Sequence, residues 1–372
     1  MKKTIFTLAL IAASQTLFAQ GGFLNKIKSK VTDAVQKPAD AAAQQAAPTA
    51  PGSTKFTDPT AFGTLIYTFS KDDLNKHMGG SEGGFDLWFQ NVQVANNQLQ
   101  FQVVDYDQVY NYSGGQLSNT GSKTTQQENK QVLNSEFDLM SKNFTTLDMT
   151  NAMLKKGPHV GSGMIPGKPM QTLTFNGKEI GSYYMFNLAH NADSSAIAVA
   201  AVSMGTGGMS YSLVTSGGVS TKLPQSYGSQ PIISPNGKMA AAIVPLPTGK
   251  GADVYISNGS KVTVGVWDVN YAPWIRNSGA VYNIGDQKNI YKNGELFHAF
   301  DNFLFNNPHT FFISDNDKTM CWEGDHGVYF SDGTAVENGM SPHRVIIDNK
   351  EVIIFLAVNV GSGKVYLCRH DL

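Results

Sequence analysis

The chain alternates apolar runs with short polar turns, and from about residue 170 this alternation repeats. In each unit two apolar strands are followed by a third strand that carries an aromatic residue and ends at a glycine-containing turn. The aromatic residues lie 36 to 44 residues apart, at Phe175, Tyr211, Tyr255, Tyr291, Tyr329 and Tyr366. The turns that follow are Asn176-Gly177, Gly217-Gly218, Asn258-Gly259, Asn293-Gly294 and Asp332-Gly333. Such pairs predict hairpins, because a type I′ turn needs positive φ at both central residues.

A second set of turns recurs between the first and second strands of each unit. These turns lie at residues 191–194, 235–238, 277–279, 315–318 and 348–350. The strands beside them, such as residues 239–244 and 351–356, have too few polar positions for a sheet with one solvated face. The pattern predicts an all-β fold in which four-stranded meanders of about forty residues stack and close radially as a β-propeller. An evenly spaced β-sandwich is the alternative, and the turns in register favour the propeller.

One unit carries a motif that is known from a protein family. Residues 233–242, Ile-Ser-Pro-Asn-Gly-Lys-Met-Ala-Ala-Ala, resemble the Ser-Pro-Asp-Gly-Lys turn of TolB-like and WD40-like (PD40) propeller repeats, and residues 253–259 also suit that pattern. Repeats of this type cover roughly residues 170–372, although only the copy at 231–264 keeps the proline. The resemblance implies a propeller and says little about activity, because propellers have many unrelated functions.

The sequence before residue 170 diverges from the repeat. Residues 88–116 predict another meander, with a turn at Asn96-Asn97, a second strand at 98–105 and Tyr110 as the aromatic residue of the third strand. The 65 residues from Tyr110 to Phe175 are too many for one unit, and the apolar spacing within residues 127–142 predicts an inserted helix. Counting the units predicts six or seven blades.

The end of the repeats predicts how the ring closes. The last unit stops at Leu372, within or just after its third strand, so its outer strand must come from another part of the chain. The β-prone run at residues 64–70 is the candidate, and we expect it to pair with the strand around residues 365–369.

The first 55 residues have a different composition. Lys2 and Lys3 precede an apolar run at residues 5–13, a pattern typical of a secretory signal peptide, here cleaved near Ala19-Gln20. Its last residues resemble signal peptides of Bacteroidetes, which implies a periplasmic or extracellular protein. We therefore predict a signal peptide at residues 1–19, a short amphipathic helical arm at 20–37, an Ala/Pro/Gln linker at 38–55 and the propeller at 56–372.

The arm has two interpretations. Its apolar residues follow helical spacing among lysines, so residues 23–37 are a candidate docking helix for a partner or for an anionic membrane surface. The alternative is a solvated leader, because two helical turns are too short to be stable alone. No later apolar run reaches the ~20 residues of a transmembrane helix, so we expect no membrane span after signal cleavage.

The charge balance argues against nucleic acid as a partner, and the cysteine content bears on disulfide formation. Lys and Arg number 28 against 29 Asp and Glu, so the chain lacks the basic surface with which proteins bind nucleic acid. The two cysteines, Cys321 and Cys368, lie in strand-like stretches. Export would permit a disulfide between them, and two buried free thiols are the other possibility.

The sequence contains no recognisable catalytic, cofactor-binding or metal-binding motif, so we assign no residue to any of these roles. The eight histidines and two cysteines form no zinc pattern. Residues 315–326 lack the Gly and Glu of a calcium loop, and residues 361–364 lack the first Gly of a phosphate loop. We expect the strand residues Trp88, Trp274 and Trp322 to fill wedges between blades.

Two functions remain. The first, which we favour because the sequence lacks catalytic motifs and has an arm, is an exported, non-enzymatic propeller that binds an envelope or extracellular protein. The alternative is a carbohydrate-active or other hydrolytic enzyme with two carboxylates roughly 5–10 Å apart in the central funnel. The candidate carboxylates are Asp105, Asp107, Asp268, Asp286, Asp301, Glu323 and Asp325.

Overall fold

The computed structural model describes residues 55–79, 85–124, 136, 160–191, 193–225, 228–265, 272–286, 288–300, 311–324 and 326–372. The predicted signal peptide, the arm, the linker up to residue 54 and nearly all of the predicted helix at 127–142 lie outside these residues. A 3₁₀ turn at Pro59–Ala61 and strand β1 (Gly63–Thr68) come first, followed by helix α1 (Lys71–Gly79). The Ser70 hydroxyl accepts a hydrogen bond from the Asp73 N–H at 3.1 Å and so caps the start of α1.

The remaining strands form antiparallel meanders, which we number as blades in chain order. Blade 1 contains β2 (Leu87–Ala95), β3 (Gln98–Asp105), β4 (Gln108–Ser113) and β5 (Gln116–Lys123). Blade 2, as described, contains β6 (Val160–Met164), β7 (Gln171–Phe175) and β8 (Lys178–Tyr183). Blade 3 contains β9 (Met185–His190), β10 (Ile197–Gly205), β11 (Gly208–Thr215) and β12 (Ser220–Leu223). Blade 4 contains β13 (Gln230–Ile233), β14 (Ala240–Pro245), β15 (Ala252–Ile256) and β16 (Lys261–Val264).

The last three blades continue the same order. Blade 5 contains β17 (Trp274–Ile275), β18 (Val281–Gly285), β19 (Asn289–Lys292) and β20 (Glu295–Ala299). Blade 6 contains β21 (Phe311–Ile313), β22 (Met320–Gly324), β23 (Gly327–Phe330) and β24 (Ala335–Glu337). Blade 7 contains β25 (Gly339–Ile347), β26 (Lys350–Asn359) and β27 (Lys364–Asp371), with β1 as its fourth strand. The described residues thus form seven sheets, six with four strands and one with three.

Apolar clusters join these sheets into a ring. Among the described residues, successive clusters pack blade 2 on 3, 3 on 4, 4 on 5, 5 on 6, 6 on 7 and 7 on 1. The first strands of neighbouring blades lie side by side, as β9 and β13, β13 and β17, or β25 and β2 do, so these strands surround the axis. The chain is therefore a β-propeller with seven blades, which confirms the predicted fold class and selects seven from the predicted range.

Blade 7 closes the ring as the sequence predicts. Strand β1 pairs antiparallel with β27, with Gly63 opposite Cys368 and Thr68 opposite Lys364. The two ends of the described chain therefore share one sheet, and the predicted pairing is confirmed.

The predicted glycine turns fall into two kinds. Asn176-Gly177 and Asn293-Gly294 have positive φ at both residues, as the type I′ prediction requires. At Gly217-Gly218, Asn258-Gly259 and Asp332-Gly333 only the second residue has positive φ, and the type I′ prediction is wrong there. The physical reason is an extra loop residue, which gives a three-residue loop with a left-handed glycine at its end.

The extra residue is a serine in all three loops. Its hydroxyl accepts a hydrogen bond from the strand beside it: Ser216 from Ile197, Ser257 from Ala240 and Ser331 from Met320. These serines tie the third strand of a blade to its second.

The cysteines and tryptophans can now be placed. Cys321 and Cys368 are free thiols, both buried in the cluster between blades 6 and 7, so the disulfide alternative is excluded. Trp274 fills the wedge between blades 5 and 6 as predicted, and Trp322 packs against the same cluster. Trp88 is buried in a small cluster with Val104 and Val109 on blade 1. Phe175 lies in the middle strand of the described part of blade 2.

Candidate functional site

Several blades share one turn at the end of the first strand, and in blade 5 that turn begins with an arginine. The residues that begin it in blades 3, 4 and 6 are fully buried and polar: Asn191, Ser234 and Ser314. In blade 4 the side chain holds the turn, because the Ser234 hydroxyl accepts from the Met239 N–H at 3.0 Å. Arg276 begins the blade 5 turn, since the Gly279 N–H donates to its carbonyl at 2.9 Å, as Gly237 does to that of Ser234 at 2.9 Å. Its long side chain extends away from the turn.

Arg276 is buried among the carboxylates of blade 6. Its Nε lies 3.0 Å from Asp317 Oδ1, and its Nη2 lies 3.2 Å from Asp315 Oδ1. The same Nη2 donates to the Ser314 carbonyl at 3.0 Å, and Nη1 forms an ion pair with Glu136. Every guanidinium nitrogen of Arg276 therefore has an acceptor.

Arg344 of β25 approaches the same place from blade 7. Its Nη2 lies 3.1 Å from Glu136 Oε1 and also donates to the Ile313 carbonyl, while its Nε lies 3.0 Å from Glu351 Oε1. The guanidinium lies over the Phe312 ring, 5.6 Å from its centroid. Blades 5, 6 and 7 therefore each contribute a charged group to one cluster.

Glu136 lies between the two arginines and is fully buried. Within residues 125–159 it is the only position that the structure describes, and its backbone is helical. Its carboxylate also accepts from the indole N–H of Trp274 and from the backbone N–H of Ile313, both at 3.0 Å. These contacts reach the first strands of blades 5 and 6, and Arg344 belongs to the first strand of blade 7. The carboxylate therefore lies against the first strands of blades 5, 6 and 7.

The pKa shifts in this cluster have opposite directions. Burial raises the pKa of Glu136, but the charges of Arg276 and Arg344 outweigh burial and hold that pKa below its usual range. Burial raises the pKa of Glu351, and here the arginines do not fully compensate. Burial and the charge of Asp317 also raise the pKa of Tyr282, whose hydroxyl donates to that carboxylate at 3.1 Å. The two arginines thus favour the charged form of Glu136.

A small cavity adjoins the cluster. Its volume is about 130 Å³, and its lining residues are Pro235, Trp274, Ile275, Arg276, Asn277, Asp315 and Arg344. It extends from the blade 4 turn to the arginine of blade 7. This volume holds about four waters at ~30 Å³ each.

The second concave region lies on the face of blade 1 that points away from blade 7. Strand β3 alternates strictly in its first half: Leu99 and Phe101 pack toward blade 7, while its glutamines lie on the opposite face. We call the polar set on that face the amide face; its members are Asn91, Gln93, Gln98, Gln100, Gln102, Asn111 and Ser113. Together with neighbouring residues of β2–β4 it lines a concavity of about 840 Å³.

Hydrogen bonds between side chains order the amide face. Asn91 donates to Gln102 at 2.8 Å, and Gln102 donates in turn to Asn111 at 2.8 Å. Gln93 donates to Gln100 at 3.1 Å. Blades 3 and 7 have second strands that are buried on both faces, so the exposed polar face of blade 1 differs from these two blades.

Comparison with known proteins adds structural neighbours of low similarity. No protein-family model and no curated protein matches the chain. Among solved structures, TolB from Acinetobacter baumannii aligns over 78% of this chain and 82% of its own, with 14% identity and a TM-score of 0.23. A streptogramin B lyase aligns over 77% and 98%, with 12% identity and a TM-score of 0.26. The extracellular domain of the hybrid two-component system BT3049 from B. thetaiotaomicron aligns over 76% and 46%, with 10% identity and a TM-score of 0.24. The propeller assignment rests on the sheets themselves.

Three of the carboxylates that the enzyme alternative names have hydrogen-bond or ion-pair partners among the described residues. Asp105 pairs with His77 of α1 at 3.2 Å, and burial raises its pKa. Asp107 pairs with Lys123 at 2.8 Å in an exposed turn. Glu323 accepts from the Ser341 N–H at 3.2 Å, and Asp286 lies in the exposed turn after β18. Asp268, Asp301 and Asp325 lie outside the described residues. Asp105, Asp107 and Glu323 thus each have a partner of their own among the described residues.

Sequence reasoning missed the central cluster. Asp315 and Asp317 are turn residues as predicted, but their pairing with Arg276 has no local signal. The sequence did contain one signal. Arg276 occupies the position at which the turns of blades 3, 4 and 6 have asparagine or serine. Within the described residues no helix is long and apolar enough to span a membrane, and no three His, Cys, Asp or Glu side chains group as metal ligands.

Proposed function

We propose that this propeller is exported and binds a protein partner in the cell envelope through the amide face of blade 1. The support for export is the leader at residues 1–19, with its two lysines, apolar run and small residues before Gln20. The observation that carries the binding proposal is the amide face, because apolar side chains fill the six described junctions between neighbouring blades, whereas this face is polar and lines a concavity of about 840 Å³.

The chemistry of the amide face suits a polypeptide. Each Gln and Asn side chain presents a carbonyl acceptor and an NH₂ donor, the same two groups that a peptide backbone presents. The face has no charged residue among its lining side chains, so recognition would rest on hydrogen bonds and shape. Small-molecule pockets are mostly apolar and enclosed, whereas this concavity is polar and wide. An extended segment of a partner fits these properties.

The arm at residues 23–37 is a second contact in this proposal. Its helical apolar spacing and its lysines suit docking on a partner or on an anionic membrane surface. It would hold the propeller close to the partner and raise the effective concentration of the amide face.

The test is a capture experiment that is followed by measured affinities. The chain from Gln20 onward is the bait for a native envelope fraction, and a retained protein is identified and purified. Gln100→Arg places a bulky charge in the amide face, and Gln230→Arg makes the same change at an exposed strand position of blade 4. A third bait lacks residues 21–52.

We expect Gln100→Arg to weaken binding of the purified partner at least tenfold, while Gln230→Arg stays within twofold of the wild type. Loss of residues 21–52 should weaken binding by less than Gln100→Arg does. Equal affinity of the wild type and Gln100→Arg would place the binding surface elsewhere. Retention of glycans with no protein would favour the carbohydrate-active alternative.

A further inference from the structure

Blade 3 exposes three methionine side chains. Among the described residues, four of the nine exposed large hydrophobic side chains are methionines, and three of these, Met185, Met204 and Met209, belong to blade 3. Their exposed fractions are 47%, 37% and 42%. Methionine has a flexible, polarisable thioether, so a group of exposed methionines brings sulfur chemistry to the surface as well as apolar area.

Strand pairing places the three methionines beside one another. Met204 of β10 lies directly opposite Met209 of β11, and Met185 of β9 lies opposite Val202, two residues before Met204. Direct partners share one face of a sheet, as do residues two apart in a strand, so all three methionines lie on the same face. Direct partners have Cβ atoms about 5 Å apart, and diagonal neighbours at about 7–8 Å are within reach of long side chains. Met204 is therefore flanked by Met209 on one side and by Met185 on the other.

The same face holds these strands firmly further along the sheet. Val202 and Tyr211 lie on it and belong to the apolar cluster that packs blade 3 on blade 4. The Tyr211 hydroxyl donates a hydrogen bond to Met209 Sδ at 3.7 Å. The strands that carry the methionines are thus anchored, and the sulfur of Met209 has a defined place on this face.

The hairpin between Met204 and Met209 leaves space around the thioethers. Its residues 205–208 are Gly-Thr-Gly-Gly. A Cβ added at Gly205, Gly207 or Gly208 would meet no atom within 4 Å. The loop therefore has one side chain, that of Thr206, and it leaves the methionines open to a small ion from solvent.

The type of donor determines which ion is suited to this place. Thioethers are soft, uncharged ligands that favour Cu(I), whereas Zn²⁺ requires imidazole, thiolate or carboxylate ligands and Mg²⁺ and Ca²⁺ require oxygen. The residues that strand pairing places beside the methionines, Val202 and Tyr211, carry neither a carboxylate nor an imidazole. The donor set is therefore one of sulfur alone, which excludes the common hard cations.

We propose that Met185, Met204 and Met209 form a binding site for one Cu(I) ion on the face of blade 3 that points toward blade 4. Three uncharged sulfurs hold the ion, and Met204 is the central ligand. The site is independent of the amide face, because no residue of blade 1 contributes to it.

The experiment measures competition for Cu(I) between the chain from Gln20 onward and the chelator bathocuproine disulfonate, under argon with ascorbate. Met204→Leu removes the central sulfur and keeps an apolar side chain of similar size, and thermal unfolding checks that the variant stays folded. Met164→Leu is the matched control, because Met164 is an exposed methionine in another blade. We expect Met204→Leu to weaken Cu(I) binding at least tenfold and Met164→Leu to stay within twofold of the wild type.

A second measurement locates the ion on the protein. With ¹³C-labelled methionine methyl groups, one equivalent of Cu(I) should shift the NMR signals of Met185, Met204 and Met209 together and leave that of Met164 in place. The same concentration of Zn²⁺ should shift none of the three. The buried thiols of Cys321 and Cys368 are present in every variant, so they do not produce a difference between variants.

Four results would overturn the proposal. They are a wild type that does not compete for Cu(I), equal affinity of the wild type and Met204→Leu, a Cu(I)-induced shift confined to one of the three methyl groups, and an equal shift with Zn²⁺.

Discussion

Single residues determine the stability of the charged cluster beside the first strands of blades 5, 6 and 7. Two arginines and several carboxylates are buried there, and a buried ion pair costs desolvation that only well-placed partners offset. Glu136 has four donors, so the folded state favours its charged form. Removing that charge leaves Arg276 and Arg344 without their shared partner.

The first prediction concerns Glu136→Gln. We expect the free energy of unfolding at pH 7 to fall by roughly 3 kcal/mol, because removing one partner of a buried ion pair strands the other. Since the folded-state pKa of Glu136 lies below its unfolded value, its stabilisation is complete above the usual glutamate pKa of about 4.3 and is lost as pH falls through the folded-state pKa. Urea unfolding at neutral pH and in acid should show the difference between wild type and variant shrinking in acid.

The control for this prediction is Glu337→Gln, which removes an exposed carboxylate at the end of β24. It should leave unfolding within about 0.5 kcal/mol of the wild type at both pH values. A gap between Glu136→Gln and the wild type that is constant with pH would show that packing rather than charge is lost.

Contacts of single residues could be predicted from the sequence only where the two residues are also close together in the chain. The turns with Ser234 and Ser314 are local, and their chemistry was visible. Glu136 and Arg276 are far apart in sequence, so no spacing rule links them. The serine in each three-residue hairpin was missed because the Asn-Gly or Asp-Gly pair alone suggests a shorter loop.

Among the elements, β1 fits closely against its neighbour in the sheet. It pairs with β27, and a Cβ at Gly63 would lie 2.8 Å from Cys368 Sγ and 2.9 Å from Tyr366 Cβ. No real Cβ comes so close to such atoms, so the strand needs a glycine here for close approach and not for its backbone angles.

The second prediction follows from this fit. Gly63→Ala should lower the free energy of unfolding by about 1–3 kcal/mol, because the new methyl group overpacks the β1–β27 pair. The matched control is Gly163→Ala in β6, where an added Cβ meets no atom within 4 Å. The measurement is thermal unfolding of both variants. Equal melting temperatures would show that the β1–β27 pair accommodates the methyl group without loss of stability.

The pattern of apolar and polar residues predicted strand positions and strand burial in both halves of the chain. The unbroken apolar runs predicted strands buried on both faces, and β14 and β26 have that burial. Strand β3 was predicted at its observed limits, and its Gln-Leu-Gln-Phe-Gln alternation is typical of a strand with one solvated face. The amide face was therefore readable in part from sequence, although the concavity it lines depends on the neighbouring strands.

For the whole molecule, the reactivity of the Cys321 and Cys368 thiols indicates whether blades 6 and 7 remain packed together. Cys321 and Cys368 lie in the cluster that joins blades 6 and 7. Burial raises the pKa of Cys368 to about 12 and that of Cys321 well above its usual value, so neither is a thiolate near neutral pH.

The third prediction is that a disulfide reagent at pH 8 modifies neither thiol in the native protein and both thiols in concentrated urea. The dependence of the modification rate on urea should follow the unfolding curve, since both side chains are reached only when blades 6 and 7 separate. Fast native labelling would contradict the burial of the cluster, and an absence of thiols in urea would indicate a disulfide.

The whole fold was largely predictable because a propeller repeats one set of local rules. The turns set the strand order, and the run at residues 64–70 supplied the closing strand. The blade number stayed between six and seven because the interval from Tyr110 to Phe175 has no turn pattern to count. The charged cluster was not predictable, since it depends on which residues blades 5, 6 and 7 present to Glu136.

The pairing of β1 with β27 also orders events in the synthesis of the chain. The first of the described strands to leave the ribosome must await the last, because β27 is made only after every other described strand. Until then β1 has an unsatisfied edge that another nascent copy could pair with. Folding of this protein therefore depends on how long β1 remains unpaired. Conditions that slow translation should increase the exchange of β1 between copies.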